Sequence, residues 1–169
     1  MSIIKVKKYQ IIKALLLIMC IVITSLLAAC GTDDIDIGAY ENEQIELIGI
    51  EAEPVTLSIA DLKAMECRTL KTESTSDKIG KVRATGPELN TVLKPYGTSK
   101  ADFSKIIING SDEYDVKLLN DYITEHDIYL AIGIDGEPLD EESIPCRIII
   151  PKSDSAYWVR MVKSIEFIK

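Results

Sequence analysis

The stretch KVRATGPELNTVLKPYG, residues 81–97, decides the kind of fold that this sequence adopts. Its first five residues, 81–85, are typical of a short strand. Pro87 then falls in the first turn of a short helix, Glu88 lies near the positive end of the helix dipole, and Pro95 stops that helix. A short strand that leads directly into a short helix favours an α+β domain.

Short strands and brief helices continue on both sides of this stretch. Ser58 and Asp61 have the spacing of a capping box, which predicts a helix over residues 59–65. Asp135-Gly136 favours a tight hairpin turn after a strand over residues 128–134. Because strands and helices do not alternate regularly, we expect an α+β fold of mixed sheets with short helices. Further strands are predicted at residues 44–50, 55–57, 67–73, 105–108, 114–118, 146–150 and 162–168, and a short helix or turn at residues 120–126.

The first 30 residues have the layout of a secretory signal. Four lysines precede an apolar run over residues 14–27, and small residues follow it. The ending Leu27-Ala28-Ala29-Cys30 resembles the bacterial lipobox, in which the Cys thiol receives a diacylglycerol and the signal is cut just before it. We therefore expect a lipoprotein signal peptide over residues 1–29 and lipid attachment at Cys30. The alternative is an uncleaved anchor helix that ends near Cys30.

Residues 30–43 are acidic and have no sustained period. This composition predicts a solvated tether that separates the lipid from a single domain over residues 44–169. We expect the protein to be attached to the cell membrane through its lipidated N-terminus and to face the extracytoplasmic side.

The charge of the chain argues against nucleic acid as a partner. The sequence has 19 Lys and Arg against 27 Asp and Glu, a formal net charge of -8. Residues 1–29 contain four lysines and no acid, so residues 30–169 carry a net charge of -12. Proteins that bind nucleic acid neutralise phosphates with a basic surface, which this domain lacks.

Seven short blocks of sequence follow one another in a recognisable order. They are LIG (47–49) with PVTL (54–57), DLK (61–63), TGPEL (85–89) with VL (92–93), SDEY (111–114), DIYLA (127–131) running into DGEPL (135–139), IPCRIIIP (144–151), and YWV (157–159) with IEF (165–167). Taken together, they resemble the sulfite-oxidase-type oxidoreductase molybdopterin-binding domain over residues 45–168. The resemblance implies a mixed α+β fold and makes molybdopterin the cofactor to consider.

In the catalytic members of that family, a Cys thiolate ligates molybdenum from a loop about a dozen residues before the Gly that matches Gly86. That loop here reads Glu73-Ser74-Thr75-Ser76-Asp77, in which Ser74 is the nearest equivalent and no thiol is present. We therefore expect a noncatalytic binding or interaction module with no metal site and no cofactor. The alternative is a molybdopterin-dependent oxidoreductase that uses Cys67 as its metal ligand. A third interpretation is an adhesion or scaffold domain without a small-molecule pocket.

An anionic pterin phosphate would need hydrogen-bond donors and positive charge. The only positive cluster of the domain is Arg68, Lys71, Lys78, Lys81 and Arg83, which is either an anion site or a solvated hairpin face. Arg147 precedes an apolar run in one of the family's blocks and could point into the same cleft, with Tyr157 and Trp158 either as its wall or as core aromatics. The candidate cofactor-binding residues are Ser74, Lys71, Arg83 and Arg147.

Cys67 and Cys146 are the only thiols after Cys30. In an extracytoplasmic domain they form either one disulfide or two free, buried thiols. His126 stands between two acids and is interpreted as a solvated turn residue rather than a base or ligand. The sequence identifies neither a protein partner nor a small-molecule ligand.

Overall fold

A computed structural model describes residues 32–76 and 80–169 of the chain. The predicted signal peptide and Cys30 lie outside these residues. Within the described part, Thr32–Lys169 is one compact unit. No helix of this part is long and apolar enough to cross a membrane.

The described residues form short strands and shorter helices. The strands are β1 (Gln44–Ile48), β2 (Val55–Ser58), β3 (Cys67–Glu73), β4 (Lys81–Pro87), β5 (Lys105–Gly110), β6 (Asp115–Leu119), β7 (Tyr129–Ala131), β8 (Gly133–Ile134), β9 (Glu137–Pro138), β10 (Arg147–Ile149) and β11 (Val162–Ile168). The α-helices are α1 (Ile59–Ala64), α2 (Leu89–Leu93) and α3 (Asn120–Glu125), and 3-10 helices cover Lys94–Tyr96, Lys100–Asp102 and Ser155–Tyr157. The expected α+β fold of mixed sheets and short helices is confirmed.

These strands form three sheets. The largest has the order β2-β1-β11-β5-β6, in which β11 runs parallel to β1 and antiparallel to β5. A second sheet has the order β3-β4-β8-β9, and a third pairs β7 with β10. The last strand of the chain therefore completes the middle of the largest sheet.

Period-two alternation buries one face of the largest sheet. Ile45 and Leu47 of β1, Ile106 and Ile108 of β5 and Phe167 of β11 are buried, while the residues between them are more exposed. Helix α1 covers part of this core with Ile59 and Leu62. Its predicted capping box is confirmed, since the Asp61 amide donates to Ser58 Oγ at 3.1 Å and the Ser58 amide donates to Asp61 Oδ2 at 2.9 Å.

The segment before β1 corrects the prediction of a solvated tether. Ile35, Ile37 and Tyr40 are at most 5% exposed and belong to the core. The Tyr40 hydroxyl donates to the Ile132 carbonyl at 2.7 Å and accepts from the Leu139 amide at 3.0 Å. Burial of the three apolar side chains outweighs the preference of the acids for water. The acids remain exposed except Asp33, which is half-buried and pairs with Arg83. Residues 32–43 are therefore part of the domain.

Two further predictions differ in detail from the structure. Pro87 is the last residue of β4, paired with Cys67, and does not lie in the first turn of α2, whose N-cap is Glu88. The strand predicted over residues 128–134 is divided into β7 and β8. The division falls at Ile132, whose amide donates to the Thr85 carbonyl, so the chain passes there from one sheet to another.

Candidate functional site

The loop after β3 is closed by hydrogen bonds between serines. The Ser74 hydroxyl lies 2.9 Å from the Ser76 hydroxyl and donates to the Ser153 carbonyl at 3.3 Å. Ser76 Oγ lies 2.6 Å from Ser155 Oγ, and the Thr75 amide donates to the Ser153 carbonyl at 2.9 Å. These contacts fasten the end of β3 to the turn that leads into the 3-10 helix Ser155–Tyr157. The hydroxyls of Ser74 and Ser76 are therefore already engaged within the protein.

Arg147, the first residue of β10, lines a cleft of about 420 Å³ beside this turn. We call it the Arg147 cleft, and it is lined by Asp112, Tyr114, Arg147, Ser155, Trp158 and Arg160. The guanidinium carbon lies 5.9 Å from the centroid of the Trp158 ring, within the range of a cation–π contact. Trp158 is held by its Nε1, which donates to the Ile150 carbonyl at 2.8 Å and to Ser153 Oγ at 3.0 Å.

The charge of Arg147 has no counterpart on the described part of the protein. Its Nε is buried and has no hydrogen-bond partner there, and no described carboxylate forms an ion pair with it. Burial lowers the pKa of Arg147, the nearby Arg160 lowers it further, and Asp140 partly offsets both. Arg160 itself pairs with Glu142 at 3.2 Å. A small anion in the Arg147 cleft would supply the missing partner.

A second cleft of about 660 Å³ lies between the ends of β3 and β4 and the turn at 151–152. We call it the lysine cleft. Its lining includes Lys71, Glu73, Lys81, Arg83, Asp135 and Lys152. Lys71 and Arg83 are directly opposite each other on neighbouring strands, which places both side chains on one face of the sheet.

The charges of the lysine cleft are only partly balanced. Arg83 Nε lies 3.1 Å from Asp33 Oδ2, and its Nη2 donates to the Asp135 carbonyl at 3.2 Å. Among the described residues, no carboxylate forms an ion pair with Lys71, Lys81 or Lys152. The guanidinium is thus already bound within the protein, while the three ammonium groups remain available to an external anion.

Cys67 lies in neither of these clefts. It lines a smaller cleft of about 300 Å³ together with Asp33, Asp34 and Lys63. Its thiol is 3.5 Å from the Leu62 carbonyl, and burial raises its pKa although Lys63 opposes the shift. A raised pKa favours the neutral thiol over the thiolate that a metal requires.

Cys67 and Cys146 are both free, so the structure contains two free thiols and not a disulfide between them. Cys146 is fully buried, and burial raises the pKa of its thiol to about 12. Both residues therefore behave as small apolar side chains at neutral pH.

The structure separates the four candidate cofactor-binding residues. Lys71 and Arg83 share the lysine cleft, Arg147 lines its own cleft, and Ser74 lines neither of them. Trp158 both packs in the core and lines the Arg147 cleft, whereas the Tyr157 ring contacts the Tyr122 ring in a tilted arrangement with centroids 4.8 Å apart.

The sequence alone did not indicate Tyr114 or Arg160 as neighbours of Arg147. Tyr114 belongs to the block SDEY, and Arg160 directly follows the block YWV. Their positions in or beside these blocks are the only sequence signal, because the contacts that bring them together join residues far apart in the chain.

His126 is half-buried at the end of α3 and differs from a fully solvated turn residue. Its ring stacks on Tyr122 with centroids 4.1 Å apart, and its carbonyl accepts from the buried Lys100 ammonium. Among residues 32–76 and 80–169, no group of three or more His, Cys, Asp and Glu side chains could hold a metal ion.

Residues 34–169 match the sequence model of a protein family, the oxidoreductase molybdopterin binding domain. The chain belongs to this family. No curated protein matches its sequence. Among solved structures, the sulfane dehydrogenase SoxCD from Paracoccus pantotrophus has a similar fold, with a TM-score of 0.63 and 17% sequence identity. The match covers 82% of this chain and 40% of that chain, so this chain spans less than half the length of its structural relative.

The residues of this family member do not fit a molybdenum centre in the loop after β3. Residues 73–80 contain no thiol, and the Ser74 hydroxyl, a neutral oxygen, is already bound to Ser76 and Ser153. The Arg147 cleft, in contrast, fits an anionic group, because the buried Arg147 Nε is a donor without an acceptor.

Proposed function

We propose that this member of the molybdopterin-binding-domain family is a noncatalytic binding domain that takes a small anion in the Arg147 cleft. We further propose that it is anchored by a lipid at Cys30 and faces the outside of the cell membrane. The chemistry of the expected ligand is that of a phosphate or carboxylate, since a guanidinium binds such planar or multi-oxygen anions through paired N–H donors.

The observation that carries the proposal is the contrast between two neighbouring sites. The loop that would have to hold a metal contains no thiol, and in its described part the hydroxyls of Ser74 and Ser76 hydrogen-bond to each other and to the turn at 153–155. The adjacent cleft is lined by the half-buried Arg147, whose buried Nε has no hydrogen-bond partner among the described residues. Such an arrangement supports ligand binding without supporting redox chemistry.

The first test measures molybdenum and pterin in the full chain purified from its native membrane. We expect neither to be present at stoichiometric levels. A stoichiometric metal together with dye-linked oxidase activity would overturn the noncatalytic proposal and would favour the alternative in which Cys67 is the ligand.

The second test measures binding of inorganic phosphate to the full chain by calorimetry. Arg147→Gln should weaken this binding by about 10- to 100-fold, because a hydrogen bond to a charged group contributes about 1.5–3 kcal/mol. Arg68→Gln is the matched control, since Arg68 is an exposed arginine that pairs with Glu66 at 2.9 Å outside the cleft. Equal phosphate affinity in the wild type and in Arg147→Gln would refute the assignment of the Arg147 cleft.

The third test concerns the anchor. Four adjacent positions of the lipobox and the basic start of the chain support lipid attachment. A fatty-acid label should enter the wild-type chain and should be lost in Cys30→Ser, while Cys67→Ser should retain it. Label that persists in Cys30→Ser would show that the lipid is carried elsewhere. Digestion of the labelled chain by a protease added to spheroplasts tests the outward orientation.

A further inference from the structure

The N-terminal segment brings any lipid at Cys30 close to one particular face of the domain. The Asp33 amide donates to Thr69 Oγ1 at 2.9 Å on β3, and the Asp33 carboxylate pairs with Arg83 on β4. Three residues of fully extended chain reach at most about 11 Å. The Cα atom of Cys30 can therefore be at most about 11 Å from the Cα atom of Asp33, which contacts the β3–β4 hairpin.

The lysine cleft lies on that same hairpin. Arg83, which contacts Asp33, is a wall of the cleft, and Lys71 is its direct neighbour on the adjacent strand. The ammonium groups of Lys71, Lys81 and Lys152, with which no carboxylate of the described residues forms an ion pair, therefore line a cleft on the same hairpin that Asp33 contacts.

The charge of this face is opposite to that of the domain as a whole. Residues 30–169 carry a net charge of -12, which would repel an anionic membrane from most orientations. Among the described residues, four cations line the lysine cleft against two acids, Glu73 and Asp135. Lys and Arg side chains close to an anionic leaflet are attracted to it electrostatically. This face is consequently the one that an anionic surface attracts.

We infer that the lysine cleft is a docking surface for anionic lipid headgroups, so that the domain rests on its own membrane through the β3–β4 hairpin. The inference depends on the lipid attachment proposed at Cys30. The groups that bind in the cleft are phosphates, and in this inference they belong to lipid headgroups rather than to a soluble phosphate.

The test uses the full, lipidated chain reconstituted in two kinds of vesicle. One contains phosphatidylcholine alone, and the other contains phosphatidylcholine with about 30 mol% phosphatidylglycerol, which gives the anionic surface. Acetylation rates of single lysines are measured by mass spectrometry. Lys71, Lys81 and Lys152 should react about threefold or more slowly on the anionic vesicles, and salt should abolish the difference. Lys117 on β6 is the control and should react at the same rate on both.

A charge-reversal pair provides the matched comparison. Lys71→Glu with Lys81→Glu should remove the protection of Lys152, whereas Lys117→Glu with Lys163→Glu changes the net charge equally and should leave that protection intact. All four lysines are exposed, so the fold should tolerate both variants, which circular dichroism checks.

The outcomes separate the two proposals. An acylated Cys30 peptide with equal lysine rates on both vesicles overturns the headgroup contact and leaves the anchor. A Cys30 peptide without acyl mass overturns the anchor and the docking geometry together. Protection of the three lysines by inorganic phosphate on phosphatidylcholine vesicles, without an effect of phosphatidylglycerol, assigns the cleft to a soluble anion and also overturns the inference.

Discussion

Arg147 is a half-buried cation whose buried Nε has no hydrogen-bond partner among the described residues, and this marks a candidate site. An arginine that leaves solvent normally gains a carboxylate or a set of acceptors, because burial of an unpaired charge costs free energy. Here the guanidinium lies near the Trp158 ring and shares its cleft with Arg160 and Asp112. No carboxylate of the described residues forms an ion pair with it. The native state tolerates this arrangement at some cost, and a bound anion would remove that cost.

Gly86 illustrates a residue whose small size is required by close packing. A Cβ added at Gly86 would lie 2.0 Å from the Leu130 carbonyl oxygen and 2.9 Å from the Ala131 Cα. Both contacts are with backbone, which cannot move aside without displacing β7. This close approach joins the second sheet to the third.

We predict that Gly86→Ala lowers the free energy of unfolding by about 1–3 kcal/mol or more, the usual cost of overpacking. Gly80→Ala should have little effect, because no described atom lies within 4 Å of a Cβ added there. Urea unfolding of the full chain, followed by Trp158 fluorescence, measures both. Equal stability of the two variants would contradict the close approach.

At the scale of elements, the segment at residues 32–40 is the least expected part of the domain. It has no regular secondary structure, yet its apolar side chains fill space that the sheets leave open. Ile35 packs against Gly133 of β8, where a Cβ would lie 2.6 Å from Ile35 Cγ1. The buried side chains of this segment therefore stabilise the domain, although the segment is neither a helix nor a strand.

Ile35→Ala should lower the free energy of unfolding by about 2–5 kcal/mol, the range for truncation of a buried isoleucine. Glu41→Ala is the control, since Glu41 is exposed and lies directly after this segment. A solvated tether would give no loss in either variant, so chemical denaturation of the two proteins distinguishes a packed segment from a tether.

The start of α1 predicts how stability depends on acidity. The Ser58 hydroxyl and the Ser58 amide both donate to Asp61, which lowers the pKa of this carboxyl below 3.8 in the native state. The stabilisation is therefore complete above about pH 4 and is lost as the pH falls through the lowered pKa.

Asp61→Asn should be less stable than the wild type at pH 7, and its stability should fall less steeply between pH 5 and pH 2. Glu51→Gln, a change at an exposed acid in the loop after β1, should leave the pH dependence as it is in the wild type. Urea midpoints measured across this range provide the comparison. If the stability of Asp61→Asn fell with pH as steeply as that of the wild type, the capping box would not be the source of this pH dependence.

At the scale of the whole molecule, the last strand holds the largest sheet together. Strand β11 pairs with β1 on one side and with β5 on the other, so the two halves of the sheet meet only through it. Its Phe167 also packs on Phe103, with ring centroids 4.9 Å apart. The N-terminal and C-terminal parts of the domain are thus interdependent.

A chain that ends at Met161 should consequently lose its cooperative unfolding transition, because β1 and β5 would both present unpaired edges and apolar faces to water. Removal of Lys169 alone should leave the transition intact, since this exposed residue lies outside β11. Thermal unfolding followed by circular dichroism tests both chains. A cooperative transition without β11 would show that the remaining sheets are stable by themselves.

Local signals account for what could be predicted. Strands β3 and β11 have the predicted bounds, Cys67–Glu73 and Val162–Ile168. Asp135 and Gly136 have positive φ angles of 56° and 87°, as the tight hairpin turn between β8 and β9 requires. These features depend on side chains within a few residues of one another, which the sequence displays directly.

By itself, the sequence determined the fold class, the family and the lack of a thiol in the loop after β3, because alternation, capping residues, turn dipeptides and ordered blocks are local properties of the chain. Only the tertiary structure decided that residues 32–43 pack in the domain and that Arg147 lies in a different cleft from Lys71 and Arg83. These outcomes depend on contacts such as the hydrogen bond between Tyr40 and Ile132, which are 92 residues apart in the chain. Only the assembly of the sheets brings such distant residues together.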